Sequence, residues 1–258
     1  MSDMYNITNY PVIFALMAFV VLWIAAWLGS TVLRRSRKLD EIARGDFDVV
    51  LAATLTLLGL ILGFSFSMAI SRYDQRKNLE EEEANAIGTE YLRAGLLPAA
   101  DAAKVRALLK DYLNQRIQFY VVRDVDTYQK INVRTAKIQT EMWDAVKGPA
   151  LAQPTPISAL AVAGMNDVIN SQGYTQAAWW NRIPVTAWIL MATIAVVCNL
   201  LLGYGAKNVR MERKLMLVLP LVVAITFLLI ADIDSPRGGL IRVAPQNLHS
   251  LEESLRAP

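Results

Sequence analysis

Four stretches of the chain contain no Asp, Glu, Lys or Arg, and they dominate its hydrophobic pattern: 4–33, 49–71, 183–206 and 215–231. A helix needs about 20 apolar residues to cross roughly 30 Å of hydrocarbon. The first three stretches exceed that length, and each is predicted to be a transmembrane helix. The fourth is slightly short and contains Pro220. Membrane helices tolerate proline when neighbouring groups satisfy the freed carbonyl, so this stretch is predicted to be a fourth span that the proline can kink.

Polar positions return between spans two and three, where apolar residues recur at helical spacing and no strand is predicted. One amphipathic helix is predicted over Asp101 to Arg123, a second around Ile131 to Val146, and a third around Ile157 to Ile169. Their boundaries are expected at Pro98, in the segment 148–156, and at Gly173. Since no proline interrupts the chain from span two to residue 97, that span is predicted to continue as one helix of about 45 residues.

The predicted fold is therefore an all-α integral membrane protein with four transmembrane helices and a helical extramembrane bundle inserted between spans two and three. The expected division is 1–71 for the first helix pair with its short basic loop, 72–183 for the bundle, and 184–258 for the second pair with the C-terminal tail.

Composition agrees with this class and excludes several others. Of 258 residues, 54% are hydrophobic and 19% are charged, with a mean hydropathy of +0.31, which is too apolar for an ordinary soluble domain. The balance of 26 Lys and Arg against 23 Asp and Glu is too even for a nucleic-acid-binding protein. One cysteine, Cys198, and one histidine, His249, cannot form a disulfide framework or a Cys/His metal site. No metal and no cofactor is expected.

Basic residues predict which loops face the cytoplasm. The loop after span one contains Arg34, Arg35, Arg37, Lys38 and Arg44, and the loop before span four contains Lys207, Arg210, Arg213 and Lys214. The positive-inside rule puts both loops in the cytoplasm and the bundle outside, although Arg72, Arg76 and Lys77 after span two argue for the opposite orientation.

Span two carries the most informative pattern, because small residues recur at every fourth position: Gly59, Gly63, Ser67 and Ser71. One interpretation is close packing against another helix through small side chains. The other is a pore wall in an oligomer, in which Leu60, Phe64 and Phe66 form an apolar constriction that gates by dewetting and hydroxyl groups face the ion. The hydroxyl candidates are Thr54, Thr56, Ser65 and Ser67. Sequence alone leaves both interpretations open.

Two charged segments border the predicted spans. Glu80 to Glu83 follow Arg76 and Lys77 at i, i+4 spacing, which is typical of a solvated, ion-paired helix face. A cation site or selectivity ring is the alternative interpretation of these four acids.

After span four, Asp232 and Asp234 precede a Gly-Gly turn with Arg237 beside it. An interfacial salt bridge or helix cap is one interpretation of this segment. An ion vestibule that also includes Arg72 is the other.

No motif for a nucleophile, nucleotide loop or proton relay is present, and a nucleophile and base do not occur together. The chain is therefore predicted not to be an enzyme.

Two segments, 62–98 (LGFSFSMAISRYDQRKNLEEEEANAIGTEYLRAGLLP) and 230–243 (IADIDSPRGGLIRV), resemble the signature stretches of a bacterial family of four-span membrane proteins labelled bestrophin-like. The similarity in spacing runs from span one to the tail. A more distant similarity joins Leu62, Gly63 and Phe64, followed by Arg72 and Tyr73, to the pattern of the bestrophin anion channels.

This resemblance implies a homo-oligomer, pentameric as in those channels, in a bacterial inner membrane, with small inorganic anions and the lipid bilayer as its partners. It implies neck positions at Phe64, Leu60 and Thr56, although an apolar residue is usual at the third. It also implies a cytoplasmic bundle, which conflicts with the orientation drawn from the basic loops. The leading functional prediction is a passive anion channel lined by span two, with Ser67 and Ser71 at its mouth. The alternative is a non-conducting scaffold or sensor whose bundle binds a partner or ligand.

Overall fold

The computed structural model describes residues 7–33, 35, 41–206 and 214–256, and every regular element in that part of the chain is helical. The α-helices follow in the order α1 (Pro11–Leu28), α2 (Glu41–Arg93), α3 (Ala99–Val121), α4 (Val125–Ala152), α5 (Pro156–Trp180), α6 (Val185–Gly205), α7 (Val218–Asp234) and α8 (Gln246–Ser254). Helix α1 continues into a π-helical segment, Gly29–Leu33, and a 3-10 turn, Leu215–Leu217, precedes α7. The all-α prediction is confirmed.

Four helical segments are long and apolar enough to cross a membrane: Pro11–Leu33, Ala43–Leu96, Pro156–Gly205 and Leu215–Asp234. Each predicted span overlaps one of these segments. The first span begins at Pro11 rather than at residue 4, with residues 4–6 outside the described part of the chain, and the third ends at Gly205 rather than at 206. The long second helix is also confirmed. It has 53 residues, and it begins earlier than expected, at Glu41.

Prolines begin several helices, because proline fixes a suitable φ angle and needs no hydrogen-bond acceptor at the first turn. Pro98 and Pro184 precede α3 and α6, and Pro156 starts α5 behind a capping box formed by Thr155 and Ser158. The boundary predicted at Gly173 is wrong. Helix α5 continues through this glycine to Trp180, since a glycine inside a helix costs only about 1 kcal/mol relative to alanine.

The chain divides into two compact units, described separately. The membrane unit comprises Met1–Ser71 and Arg182–Ile241. In it, α1 packs against α6 and α7, and Phe14 lies 5.1 Å from Trp188 and 6.0 Å from Phe227 between ring centroids. Most of the basic loop residues that suggested an orientation, at 34, 37, 38, 207, 210 and 213, are outside the described residues.

The extramembrane unit comprises Arg72–Asn181 and Arg242–Pro258. Its core is formed by the end of α2 together with α3, α4, α5 and α8. Leu248 on α8 is fully buried in it. The sequence-based division grouped the C-terminal tail with the second membrane helix pair, whereas the tail packs on the bundle because Leu248 finds an apolar site there.

Candidate functional site

The residues predicted to line a pore share one face of α2. At about 100° per residue, Thr56, Leu60, Phe64, Ser67 and Ser71 fall within a sector about 80° wide. All five are exposed in the single chain, with Leu60 at 53% and Phe64 at 65%. We call this sector the α2 outer face. The exposure of these two large apolar side chains means that no described part of the chain covers them.

The opposite side of the same helix faces the rest of the membrane unit. Leu58, Leu62, Ser65 and Ala69 are buried, and their mean direction points about 170° away from that of the α2 outer face. The helix is thus anchored along one side and open along the other. Ser65, a candidate hydroxyl donor, lies on the anchored side and is only 7% exposed.

The two glycines of span two, Gly59 and Gly63, are not used for packing within the described chain. A Cβ atom added at Gly59 or Gly63 would meet no atom within 4 Å. Close helix packing occurs instead between α1 and α6. There, Gly29 lies against the carbonyl oxygen of Leu200 and Gly203 against that of Ala26, and neither leaves room for a Cβ. The small-residue stripe of α2 therefore remains available to a neighbour outside the chain.

The threonine hydroxyls of α2 are already engaged. Thr56 Oγ1 donates to the carbonyl oxygen of Ala52 at 2.9 Å, and Thr54 Oγ1 donates to that of Val50 at 2.5 Å. A hydroxyl bound in this way cannot donate its only proton to an anion at the same time. Of the four candidate hydroxyls, Ser67 is the one on the α2 outer face whose proton no described hydrogen bond engages.

The two aspartates after span four are buried, and their carboxylates accept hydrogen bonds from the same chain. Asp232 accepts hydrogen bonds from the backbone N–H groups of Leu240 at 2.8 Å and Ile241 at 2.7 Å. These bonds fold the Gly-Gly segment back onto the end of α7. Gly239 packs against the carbonyl of Asp232 with no space for a side chain.

Asp234, at the end of α7, is bound by residues that precede α6. It accepts from the backbone N–H of Ile183 at 3.1 Å, and its Oδ2 lies 3.5 Å from Nε of Arg182. At 1% exposure, Asp234 connects the start of α6 to the end of α7. Arg72 and Arg237, the other vestibule candidates, are both half-buried.

The run of four glutamates does not form a solvated face as a whole. Glu81 and Glu82 are exposed, but Glu80 and Glu83 are at most 1% exposed. The expected pairing of Arg76 with Glu80 on the surface is therefore wrong, because Arg76 is also 1% exposed. Residues 76, 80, 83, 87 and 90 follow i, i+3, i+4 spacing, so they form the buried stripe of α2 in the extramembrane unit.

Each buried glutamate of the run has a specific partner. Glu80 accepts hydrogen bonds from Nδ2 of Asn247 at 2.7 Å and from the backbone N–H of Leu248 at 3.0 Å. These two bonds attach the first turn of α8 to α2. Glu83 pairs with Arg116 of α3, with Nε and Oε1 2.5 Å apart and both side chains fully buried. The Arg116 guanidinium also stacks over Phe119, 4.3 Å from the ring centroid.

The hydroxyls around this ion pair stay protonated. Burial, and next the negative charge of Glu83, raise the pKa of Tyr120 well above its usual range. The Tyr120 hydroxyl lies 3.4 Å from Glu83 Oε2 and donates to it. The arrangement neutralises a buried charge, and it offers no open position for a substrate or ion.

Sequence reasoning missed two of the buried charges, Arg116 and Glu90. A signal for Arg116 was available, since it lies beside Tyr112, Leu113 and Ile117 on the apolar stripe of α3. A charge in such a stripe requires a buried partner of opposite sign. Glu90 likewise continues the stripe that Glu83 and Ile87 define. Among the described residues, no group of three or more His, Cys, Asp or Glu side chains is arranged to hold a metal ion.

Comparisons with known proteins give a consistent result. A family model described as Bestrophin-like domain matches residues 14–248. The fold is similar to that of a bacterial bestrophin homologue from Klebsiella pneumoniae. One structure of it, carrying a point mutation, shows a TM-score of 0.66 at 13% identity over 93% of this chain and 95% of that one. Another shows 0.64 at 15% identity over 95% and 96%. Comparison with curated proteins gave no match.

Proposed function

The chain belongs to the Bestrophin-like family, and from this premise we propose that it is a homo-oligomeric membrane channel through which small inorganic anions pass passively. The α2 outer face would line the pore, with one copy of α2 contributed by each subunit. The number of subunits is proposed to be five, the stoichiometry that the resemblance to the bestrophin channels implies.

The observation that carries the proposal is the two-sidedness of α2 within the membrane unit. One side is buried against the same chain, and the other exposes Leu60 and Phe64. Gly59 and Gly63 lie beside the exposed side and meet no described neighbour. An apolar face of this kind can be covered by lipid or by a second copy. Small residues beside it permit close approach of another helix, which favours the second copy.

Individual positions take different roles in this arrangement. Leu60 and Phe64 form the constriction, where a ring of apolar side chains resists water and therefore ions. Ser67 and Ser71 follow one and two turns later at the mouth, and Ser67 has a proton to offer a partly dehydrated anion. Arg72, the next residue, points about 120° away from the centre of the α2 outer face, so we do not assign it to the pore wall. Asp232 and Asp234 hold the α6–α7 corner through backbone hydrogen bonds, so we assign them to positioning.

The test is anion flux into liposomes containing the purified protein. Leu60→Ala and Phe64→Ala widen and wet the constriction, so each is expected to raise chloride flux severalfold over the unchanged protein. Met68→Ala is the matched control. Met68 is 43% exposed on the same helix, but it points about 80° away from the centre of the α2 outer face, so its truncation should leave flux unchanged.

Three results would count against the channel. One is the absence of flux for every small anion and cation from protein that is oligomeric and folded. Another is an equal increase from Met68→Ala. The third is a monomeric state in mild detergent and in nanodiscs. Any of these would favour the scaffold or sensor, and pull-down experiments with the full chain would then seek its partner.

Orientation is testable independently of conduction. Asn78→Cys places a thiol on an exposed position of the extramembrane unit. The only native cysteine, Cys198, is buried. Labelling of intact bacterial cells by a membrane-impermeant maleimide is expected if the bundle lies outside, and protection from it if the bundle is cytoplasmic.

A further inference from the structure

Glu90 is a buried charged residue that neither the fold nor the proposed pore explains. It lies on α2 in the extramembrane unit and has no measurable exposure, and neither of its carboxyl oxygens has a hydrogen-bond partner among the described residues. Opposite it, on α5, is Gly164. A Cβ atom at Gly164 would collide with Glu90 Oε2, so the glycine creates the space that the carboxyl group occupies.

Two other charged groups face this carboxyl group, one from each packed helix. Arg93 lies one turn further along α2, and its Nη1 approaches the same point beside Gly164. Asp167 lies one turn further along α5, and its Oδ2 is 3.8 Å from Arg93 Nη1. The Arg93 and Asp167 side chains are 33% and 64% exposed. One guanidinium group is thus positioned between a buried and a solvated carboxyl group.

A carboxylate without hydrogen bonds is expensive to bury, and in proteins such a group takes up a proton instead. Burial raises the pKa of Glu90 from 4.5 to about 8, with Arg93 opposing the increase and Asp167 adding to it. The geometry and the pKa therefore both indicate a neutral Glu90 at neutral pH.

We propose that Glu90 is a proton-binding site that controls the contact between α2 and α5. With the proton bound, the neutral carboxyl group fits against Gly164, and Arg93 remains with Asp167. When the proton leaves for solvent, the new carboxylate attracts Arg93 away from Asp167 and needs hydration, which separates the two helices at this point. This proposal concerns the extramembrane unit alone and does not depend on conduction.

The direction in which pH changes the docking of α5 on α2 follows from the linkage between proton binding and docking. When α5 is detached, Glu90 is hydrated and has an ordinary pKa near 4.5, and when α5 is docked the pKa is about 8. The docked form therefore binds the proton more tightly. Docking is strongest below pH 4.5, weakens as the pH rises through the interval up to about 8, and does not change further above it.

Hydrogen–deuterium exchange of the full-length protein in nanodiscs, between pH 5 and 9 and corrected for intrinsic exchange rates, tests this directly. Protection of α5 peptides around Gly164 is expected to fall by roughly tenfold or more over this range. Peptides of α4, which carries none of the three groups, supply the internal comparison. In Glu90→Gln the protection of α5 should no longer depend on pH. Glu82→Gln, an exposed glutamate on the same helix, should behave as the unchanged protein.

Two results overturn the proposal: constant α5 protection from pH 5 to 9 in the unchanged protein, or a pH dependence that survives in Glu90→Gln. If Glu90→Gln does not fold, Asp167→Asn provides the test, since it removes an exposed side chain. It eliminates the competitor for Arg93 and one nearby negative charge, so the midpoint of the α5 transition should move to lower pH. An unchanged midpoint contradicts the proposed exchange of Arg93.

Discussion

Replacing Arg116 with methionine tests how much the buried ion pair contributes to the extramembrane unit. The substitution keeps an unbranched apolar side chain in place but leaves Glu83 fully buried without its cation. For charges about 3 Å apart, an effective dielectric constant of about 20 gives roughly 5 kcal/mol of attraction. Removal of one member of a buried pair typically costs ~3–5 kcal/mol. The remaining donors, Tyr120 and Thr175, are each 3.4 Å from Glu83 Oε2 and replace little of this.

We therefore expect Arg116→Met to lower the free energy of unfolding by ~3–5 kcal/mol. The measurement is a guanidinium titration in mild detergent followed by far-ultraviolet circular dichroism. Arg134→Met is the matched control, since Arg134 pairs with Asp111 at the same 2.5 Å distance but with 43% and 38% exposure. An exposed pair contributes about 0–1 kcal/mol. Equal losses in the two variants would refute the reasoning, as would a Glu83→Gln/Arg116→Met double variant less stable than Arg116→Met alone.

Three further substitutions test other contacts. Gly203→Ala should destabilise the membrane unit by about 1–3 kcal/mol, because the added methyl group meets the Ala26 carbonyl. Gly173→Ala should stabilise α5 by about 0.5–1 kcal/mol, because the space around Gly173 is open and alanine favours the helix. Thermal unfolding of both variants in detergent checks the opposite signs, and a loss of stability in both would contradict the packing argument. Glu80→Ala removes the hydrogen-bond acceptor at the start of α8. Limited proteolysis should therefore cleave Gln246–Ser254 several times faster than in the unchanged chain. Equal cleavage rates would show that this contact does not hold the tail.

The sequence by itself determined the number of spans, the all-helical class and the continuous second helix. These features depend on local physics. The length of an uncharged run decides whether a helix made from it can cross the bilayer. A segment without proline can continue as one helix. It also placed Leu60 and Phe64 on one face, because side-chain direction follows from the helical period alone.

Only the tertiary structure decided which charges are buried. Four consecutive glutamates point in four directions about 100° apart, and the period cannot say which direction meets another helix. Docking of α3 and α8 against α2 selected Glu83 and Glu80, and docking of α5 enclosed Glu90. The position of the tail was likewise set by contacts with residues more than 160 positions away in the chain. Such contacts are absent from any local pattern, since the free energy of a buried charge depends on the partners that distant segments bring to it.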